Sequence, residues 1–255
     1  MTAIDADLAC YLYGIVAADL RLPDDLTGLD DQPVELVRLD KIAAVTSRLS
    51  ADRPLARRDD LLAHSRVLDA VAAEGAVIPV RFGSLLRDRS ELIAEVLEPG
   101  STRFADMLRE LTGHSQYTVR VRYDETRILP EIVAENPEIA RLRLQTRDQP
   151  EEATYQARVR LGELVAHALE AKRADDADLV LSRLEPFSAA LSVAESGGPD
   201  QLIDVALLVE NRRRDAFEEA AEALAAELAD RATVKLIGPT AAYDFVGVER
   251  NDGWA

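Results

Sequence analysis

Gly197-Gly198-Pro199-Asp200, followed after one residue by Leu202-Ile203-Asp204-Val205-Ala206-Leu207-Leu208-Val209, is the stretch on which the topology turns. The first four residues are a turn signal. The eight that follow are apolar enough to lie centrally in a sheet. Upstream, Leu179 to Ala194 reads as an extended segment interrupted at Pro186, so the turn predicts a hairpin. Downstream, Phe217, Ala220, Ala221, Leu224 and Leu228 recur at helical spacing between Arg212 and Asp230. Thr233 to Ile237 and Tyr243 to Val248 read as extended, separated by a turn at Gly238-Pro239. Further upstream, Tyr117, Val119, Val121 and Tyr123 alternate with polar residues, the mark of a half-buried strand. A polar helical stretch broken near Asn136-Pro137 follows. A helix from Glu151 to about Lys172 comes next, with Tyr155, Val159, Gly162, Val165 and Leu169 as its stripe. The order is β-α-β-β-α-β, which predicts a ferredoxin-like domain over residues 116–255. The residues between Glu125 and Gln149 are an insertion after its first strand.

Residues 1–115 predict a second, mixed α+β domain, with the boundary near Gly113–Gln116. Ala9–Ala17, Val34–Leu39 and Ile42–Leu49 read as strands, and Asp40-Lys41 is short enough for a hairpin turn. Arg57 to Glu74 reads as a helix with Leu61, Leu68 and Val71 inward and Gly75 as its stop. Val77–Val80 returns to the sheet and runs on into Arg81-Phe82-Gly83-Ser84. Pro79 removes a ladder donor and restricts this strand to an edge, a terminus or a bulge. Gly83 marks a position of positive φ or close approach. Asp88–Leu97 and Thr102–Thr112 read as two helices separated by Pro99-Gly100.

The 255 residues are 47% hydrophobic, enough for a sizeable core. No apolar run reaches 18 residues, so no membrane-spanning helix is expected. Met1 to Asp7 is acidic, so no signal peptide is expected. The net charge is −17, with both halves acidic, which disfavours nucleic acid and anionic membranes as partners. Cys10 is the single cysteine and reads as a buried, inert thiol.

Few residues offer chemistry. His64, Glu74 and Arg81 are the one polar constellation of the first half that fits an enzyme or a small-molecule binder using an inter-domain cleft. His64 would be a general base and Arg81 an anion anchor. The plainer alternative packs His64 against a helix face and pairs Arg81 with a carboxylate at a domain junction, so that Arg81→Ala destabilises the fold. His114 and His167 have no ligand spacing to His64 or to each other, so no metal is expected. There is no phosphate-binding glycine loop, no dinucleotide fingerprint and no nucleophile elbow, so no cofactor is expected. Tyr243 and Phe245 stand two apart on the last predicted strand and face one side. They form either a core stripe or an exposed contact surface. Glu218, Glu219, Glu222 and Glu227 make the last helix acidic, which reads as a solvated face ahead of a docking surface.

Three segments in this order and spacing resemble the GvpF/GvpL family of gas vesicle proteins. They are the aromatic-rich Tyr11-Leu12-Tyr13-Gly14-Ile15-Val16, the Pro79-Val80-Arg81-Phe82-Gly83 segment after a helix that carries His64, and Gly238-Pro239 followed by Tyr243 and Phe245. The resemblance runs from about Ala9 to Val248. It implies a non-enzymatic accessory or minor structural component, located in the cytoplasm or on the gas vesicle. Its implied partners are the small hydrophobic shell subunit and other gas vesicle accessory proteins. Arg81, Phe82, Gly83, Gly238, Pro239, Tyr243 and Phe245 are then the candidate protein-binding or domain-junction residues.

Overall fold

The computed structural model describes residues 8–246 apart from Ala56, Ser196 and Pro199. The described chain divides into two compact units. One holds the residues up to Gln116, Glu210–Arg212 and the segment from Gly238; the other holds Tyr117–Val209 and Arg213–Ile237.

The first unit is built on β1 (Leu8–Ala17), β2 (Glu35–Leu39), β3 (Ile42–Ser50), β4 (Val77–Pro79) and β5 (Leu85–Leu86). The sheet order is β2-β3-β1-β4, with β5 also paired to β1, and all these pairs are antiparallel. β2 and β3 form the predicted hairpin, with Leu39 opposite Ile42 and Asp40 in the left-handed region that such a turn needs. Residues 9–16 of β1 are buried on both faces, which is why they read as a continuous apolar run. The register of β1 against β3 steps between Leu12 and Gly14, leaving Tyr13 as a bulge residue. Its consequence is that Tyr11, Tyr13 and Val16 share one core, a spacing that strict alternation would not produce.

Helix α1 (Arg58–Glu74) packs on that core through Ala63, Val67, Leu68 and Val71. Leu61 was expected inward but is 50% exposed. The buried face runs through 60, 63, 64, 67, 68 and 71, and Leu61 lies off it by helical phase. Gly75 caps the helix with its N–H on Val71 O, in extended rather than left-handed backbone. The two helices expected between 88 and 112 are one continuous helical run: α2 (Arg89–Glu91), a π segment (Leu92–Leu97) and α3 (Glu98–Leu111). Asp88 caps its start by accepting from the Ser90 and Glu91 N–H groups. Pro99 does not break it, because it falls in the first turn of α3 just past the π segment, where a missing N–H is tolerated.

The second unit contains most of β6 (His114–Tyr123), then α4 (Glu125–Glu135), α5 (Pro137–Thr146), α6 (Glu151–Leu184), β7 (Ser188–Val193), most of β8 (Gln201–Glu210), α7 (Arg214–Leu228) and most of β9 (Ala232–Thr240). The sheet order is β7-β8-β6-β9. Tyr117, Val119, Val121 and Tyr123 of β6 join Ile203, Val205, Leu207 and Val209 of β8 in one core, with Phe217, Leu224 and Leu228 of α7 packed on it. The helix break at Asn136 is a cap: its side chain accepts from the Glu138 and Ile139 N–H groups, and Pro137 starts α5.

Helix α6 is longer than its stripe predicts. Leu179 to Leu184, expected to be extended, are its last turns. The run Leu179-Val180-Leu181 has strand-like composition, but Asp176, Val180 and Leu184 are buried four apart on one helix face, and that burial outweighs propensity. At its other end Tyr155 and Val159 are exposed rather than core-facing. A buried pair anchors the unit. The Arg231 guanidinium donates to both oxygens of Asp176 at 2.7–3.2 Å, and the Tyr123 hydroxyl donates to Asp176 at 2.8 Å. Pro199 of the predicted hairpin turn lies outside the described residues. Beside it, Gln201 N–H donates to Gly198 O, and β7 and β8 pair antiparallel.

Candidate functional site

Alternation along β1 sets Tyr11 and Tyr13 side by side under α1, 4.8 Å apart at their ring centres. His64, on the inner face of α1, stacks on Tyr13 at 5.6 Å and meets Tyr11 edge-on. Phe82 closes the cluster from the loop between β4 and β5, at 5.6 Å from His64 and 6.4 Å from Tyr11. That loop is tied to β1 by backbone bonds from Val80 N–H to Tyr13 O and from Leu12 N–H to Ser84 O. Gly83 turns it at φ 92, the positive value expected of this glycine.

Polar groups run through the cluster in a chain. Gly83 N–H donates to the Tyr11 hydroxyl at 3.2 Å. The hydroxyl lies 2.9 Å from Nδ1 of His64. The imidazole also bonds the Val80 backbone. With Gly83 N–H donating to the Tyr11 oxygen, the hydroxyl hydrogen points to Nδ1, which makes Nδ1 the acceptor and leaves the hydrogen of the neutral ring on Nε2. Burial pushes the His64 pKa down, partly offset by the Val80 bond, so the ring is held neutral. Burial likewise raises the Tyr11 hydroxyl to about 12. Tyr13 has its own partners: its hydroxyl lies 2.8 Å from Ser47 Oγ and accepts from Leu29 N–H at 2.9 Å. Leu29 sits on a turn whose Asp30 joins Asp60 of α1 in gripping Arg53.

This arrangement does not assemble the expected base and anion anchor. His64 is 2% exposed, and its Nδ1 is engaged by the Tyr11 hydroxyl. Arg81 is exposed at the mouth of the loop, and among the described residues no carboxylate pairs with it. The buried guanidinium of this unit is Arg53 instead. Its signal was weak, because Arg53 meets Asp60 only through the fold. Glu74, at the end of α1, is exposed.

The closing segment also differs from expectation. β9 continues through Gly238 and Pro239 to Thr240, so Gly238-Pro239 is not a turn. Pro239 is accommodated because β9 is an edge strand and needs no second ladder donor there. The predicted strand from Tyr243 to Val248 is a turn over its described part, with Phe245 N–H donating to Ala242 O. Residues 247 and 248 lie outside the described residues. Tyr243 and Phe245 therefore do not share a strand face. The Gln116 amide holds this turn: its Oε1 accepts from Asp244 N–H at 2.9 Å while its Nε2 donates to the Asp244 carboxylate. Tyr243 is 40% exposed. Its hydroxyl is raised to about 12 by burial and by Asp69, with a Ser65 hydrogen bond opposing, which sets it against α1.

Among the described residues no group of three histidine, cysteine or acidic side chains is placed to hold a metal ion. Among them too, no helix is long and apolar enough to cross a membrane. Cys10 is buried, and burial raises its thiol.

The chain matches the family model described as gas vesicle synthesis protein GvpL/GvpF over residues 9–247. It is 32% identical to gas vesicle protein F of Streptomyces sp. (strain CB03234), over 94% of this chain and all of that one. It is 28% identical to gas vesicle protein L of the same strain, over 98% of this chain and 97% of that one. The crystal structure of GvpF from Anabaena sp. PCC7120 superposes with a TM-score of 0.81, covering 95% of this chain and 99% of the other at 21% identity. That likeness gives the fold, a mixed α+β architecture with two antiparallel sheets. The chain belongs to the GvpL/GvpF family of gas vesicle synthesis proteins, and that membership implies a role in gas vesicle formation.

Proposed function

We propose that this protein is a non-enzymatic accessory protein that binds the gas vesicle shell subunit and assists its assembly into the vesicle wall. The family match over residues 9–247 carries the reading. The locked state of the Tyr11–His64–Phe82 cluster supports its non-enzymatic part, because the one histidine expected to act as a base is built into the core. A subunit made to form an apolar, gas-tight wall aggregates when its apolar surface and strand edges are exposed. A partner carrying −17 charges stays dispersed while it covers such surface. The protein then works in the cytoplasm or on the vesicle, with the shell subunit and other accessory proteins as partners and with no nucleic acid, membrane, cofactor or metal.

The experiment is co-purification with the shell subunit, co-expressed with and without the other accessory proteins. Soluble shell subunit retained on the protein is the expected result. None retained under either condition overturns the reading.

We read the second unit as ferredoxin-like. Its β-α-β-β-α-β element order and its sheet order β7-β8-β6-β9 support this. The change of unit at Gln116–Tyr117, one residue past the expected boundary, supports a two-domain division into 1–115 and 116–255. The segment from Gly238 is grouped with the first. Phe82 and Gly83, with Arg81 exposed beside them, and Gly238, Pro239, Tyr243 and Phe245 remain the proposed contact positions. The exposure of Arg81 and Tyr243 supports a role for these two in partner binding.

A further inference from the structure

We infer that β7 is a docking edge that takes up an extended apolar strand of the partner. This rests on the reading above, which makes that partner the shell subunit. β7 ends the sheet order β7-β8-β6-β9, with no strand beyond it among the described residues. Ala194 N–H donates to Asp204 O, and Ala190 and Ser192 face Leu208 and Ala206 in the same register. Alternation along an antiparallel pair then turns the backbone groups of Leu191 and Val193 outward, away from β8. Those two residues also carry the exposed apolar side chains of the strand. Leu191 and Val193 are 37% and 49% exposed, while their register partners Leu207 and Val205 are at 0% and 1%. The core face of the sheet therefore continues onto β7 without a cover.

The other edges carry devices that discourage pairing. β2 has Glu35 and Arg38, β4 has Pro79, and β9 has Lys235 and Pro239. β5 is two residues long. β7, Ser-Ala-Ala-Leu-Ser-Val, has no charge and no proline, in a chain that is 30% charged. An added strand would take the free N–H and C=O groups of Leu191 and Val193, and its own apolar side chains would bury theirs. Two copies of this chain, each at −17, repel one another, which favours an apolar partner over self-pairing.

The test is co-purification of the full-length protein with co-expressed shell subunit. Leu191→Lys/Val193→Lys charges the edge, and Leu191→Pro removes an outward donor without touching the bonds to β8. Tyr155→Lys/Val159→Lys makes the same change in charge and apolar surface on exposed positions of α6. Thermal melts confirm that each variant is folded, and single Leu191→Lys replaces any that is not. The expected result is roughly tenfold less shell subunit or lower on the edge variants, with the α6 variant unchanged. Wild-type retention by folded edge variants overturns the docking edge and leaves the shell-binding reading standing. No retention by the wild type removes both. A wild-type dimer by ultracentrifugation that the edge variants abolish, with shell retention unchanged, assigns the edge to a second copy and also overturns the proposal.

Discussion

The Tyr11 hydroxyl and Nδ1 of His64 meet at 2.9 Å across 53 positions of sequence, and that one hydrogen bond ties the central strand of the first sheet to its covering helix. Gly83 N–H enters the same hydroxyl from the β4–β5 loop, so three segments converge on one oxygen. Low local dielectric strengthens such a chain and makes any orphaned member costly.

The buried imidazole makes stability depend on pH. Burial depresses the folded pKa of His64 below its ordinary 6.5. As pH falls through about 6.5 the unfolded chain binds a proton that the native state does not, so stability is lost on acidification and regained as pH rises. Chemical denaturation of the wild type should show its midpoint falling from pH 7.5 to pH 5.5. The share due to this proton has a slope of at most about 1.4 kcal/mol per pH unit. His64→Gln should be less stable at pH 7.5 and flatter over the same window. An equal slope in both proteins would show that His64 is not the group responsible.

Two glycines should respond oppositely to alanine. A Cβ at Gly28 would stand 2.7 Å from Cζ of Tyr13 and closer still to its hydroxyl. Gly28→Ala should cost about 1–3 kcal/mol through overpacking. Gly162, in α6, has open space around the same added atom. Gly162→Ala should stabilise by about 0.5–1 kcal/mol, because alanine loses less backbone entropy in a helix. Melting temperatures should therefore move in opposite directions, by about 2–4 °C per kcal/mol for a chain of this size.

Asp176 should be the costliest single polar site of the second unit. It is 5% exposed and accepts from Arg231 and from Tyr123. Asp176→Ala leaves the Arg231 guanidinium without its counter-charge and should cost about 3–5 kcal/mol. Tyr123→Phe removes one hydrogen bond to a charged acceptor and should cost about 1.5–3 kcal/mol. Urea titrations that rank the two variants in the reverse order would contradict this network.

Arg81 and Phe82, adjacent in sequence, should separate in effect. Arg81 is exposed without an ion-pair partner among the described residues, so Arg81→Ala should change stability by no more than about 0.5 kcal/mol. Phe82→Ala strips one wall from the His64 cluster and should cost more, on the order of 1–3 kcal/mol given its partial burial. A folded Arg81→Ala protein that binds less shell subunit would place Arg81 in the contact surface.

Local periodicity by itself determined much of this protein: the alternating strand from Tyr117 to Tyr123, the helical spacing of Phe217, Leu224 and Leu228, the hairpin at Asp40-Lys41 and the positive φ of Gly83. Each follows from residues within one or two turns of each other, where chain geometry leaves few options. Tertiary structure alone decided the rest. The bulge at Tyr13, which turns Val16 into the core that Tyr11 and Tyr13 share, depends on how β1 registers against β3. The reach of α6 through Leu184 depends on a buried face that only the sheet creates. The turn at Tyr243–Phe245 depends on Gln116, 128 positions before Asp244. Arg81 reads as the partner of a carboxylate, yet it lies exposed, while Arg53 is the guanidinium that the fold brings to Asp60 and Asp30. In each case the deciding energy is a contact between residues far apart in the chain, and no local pattern carries that information.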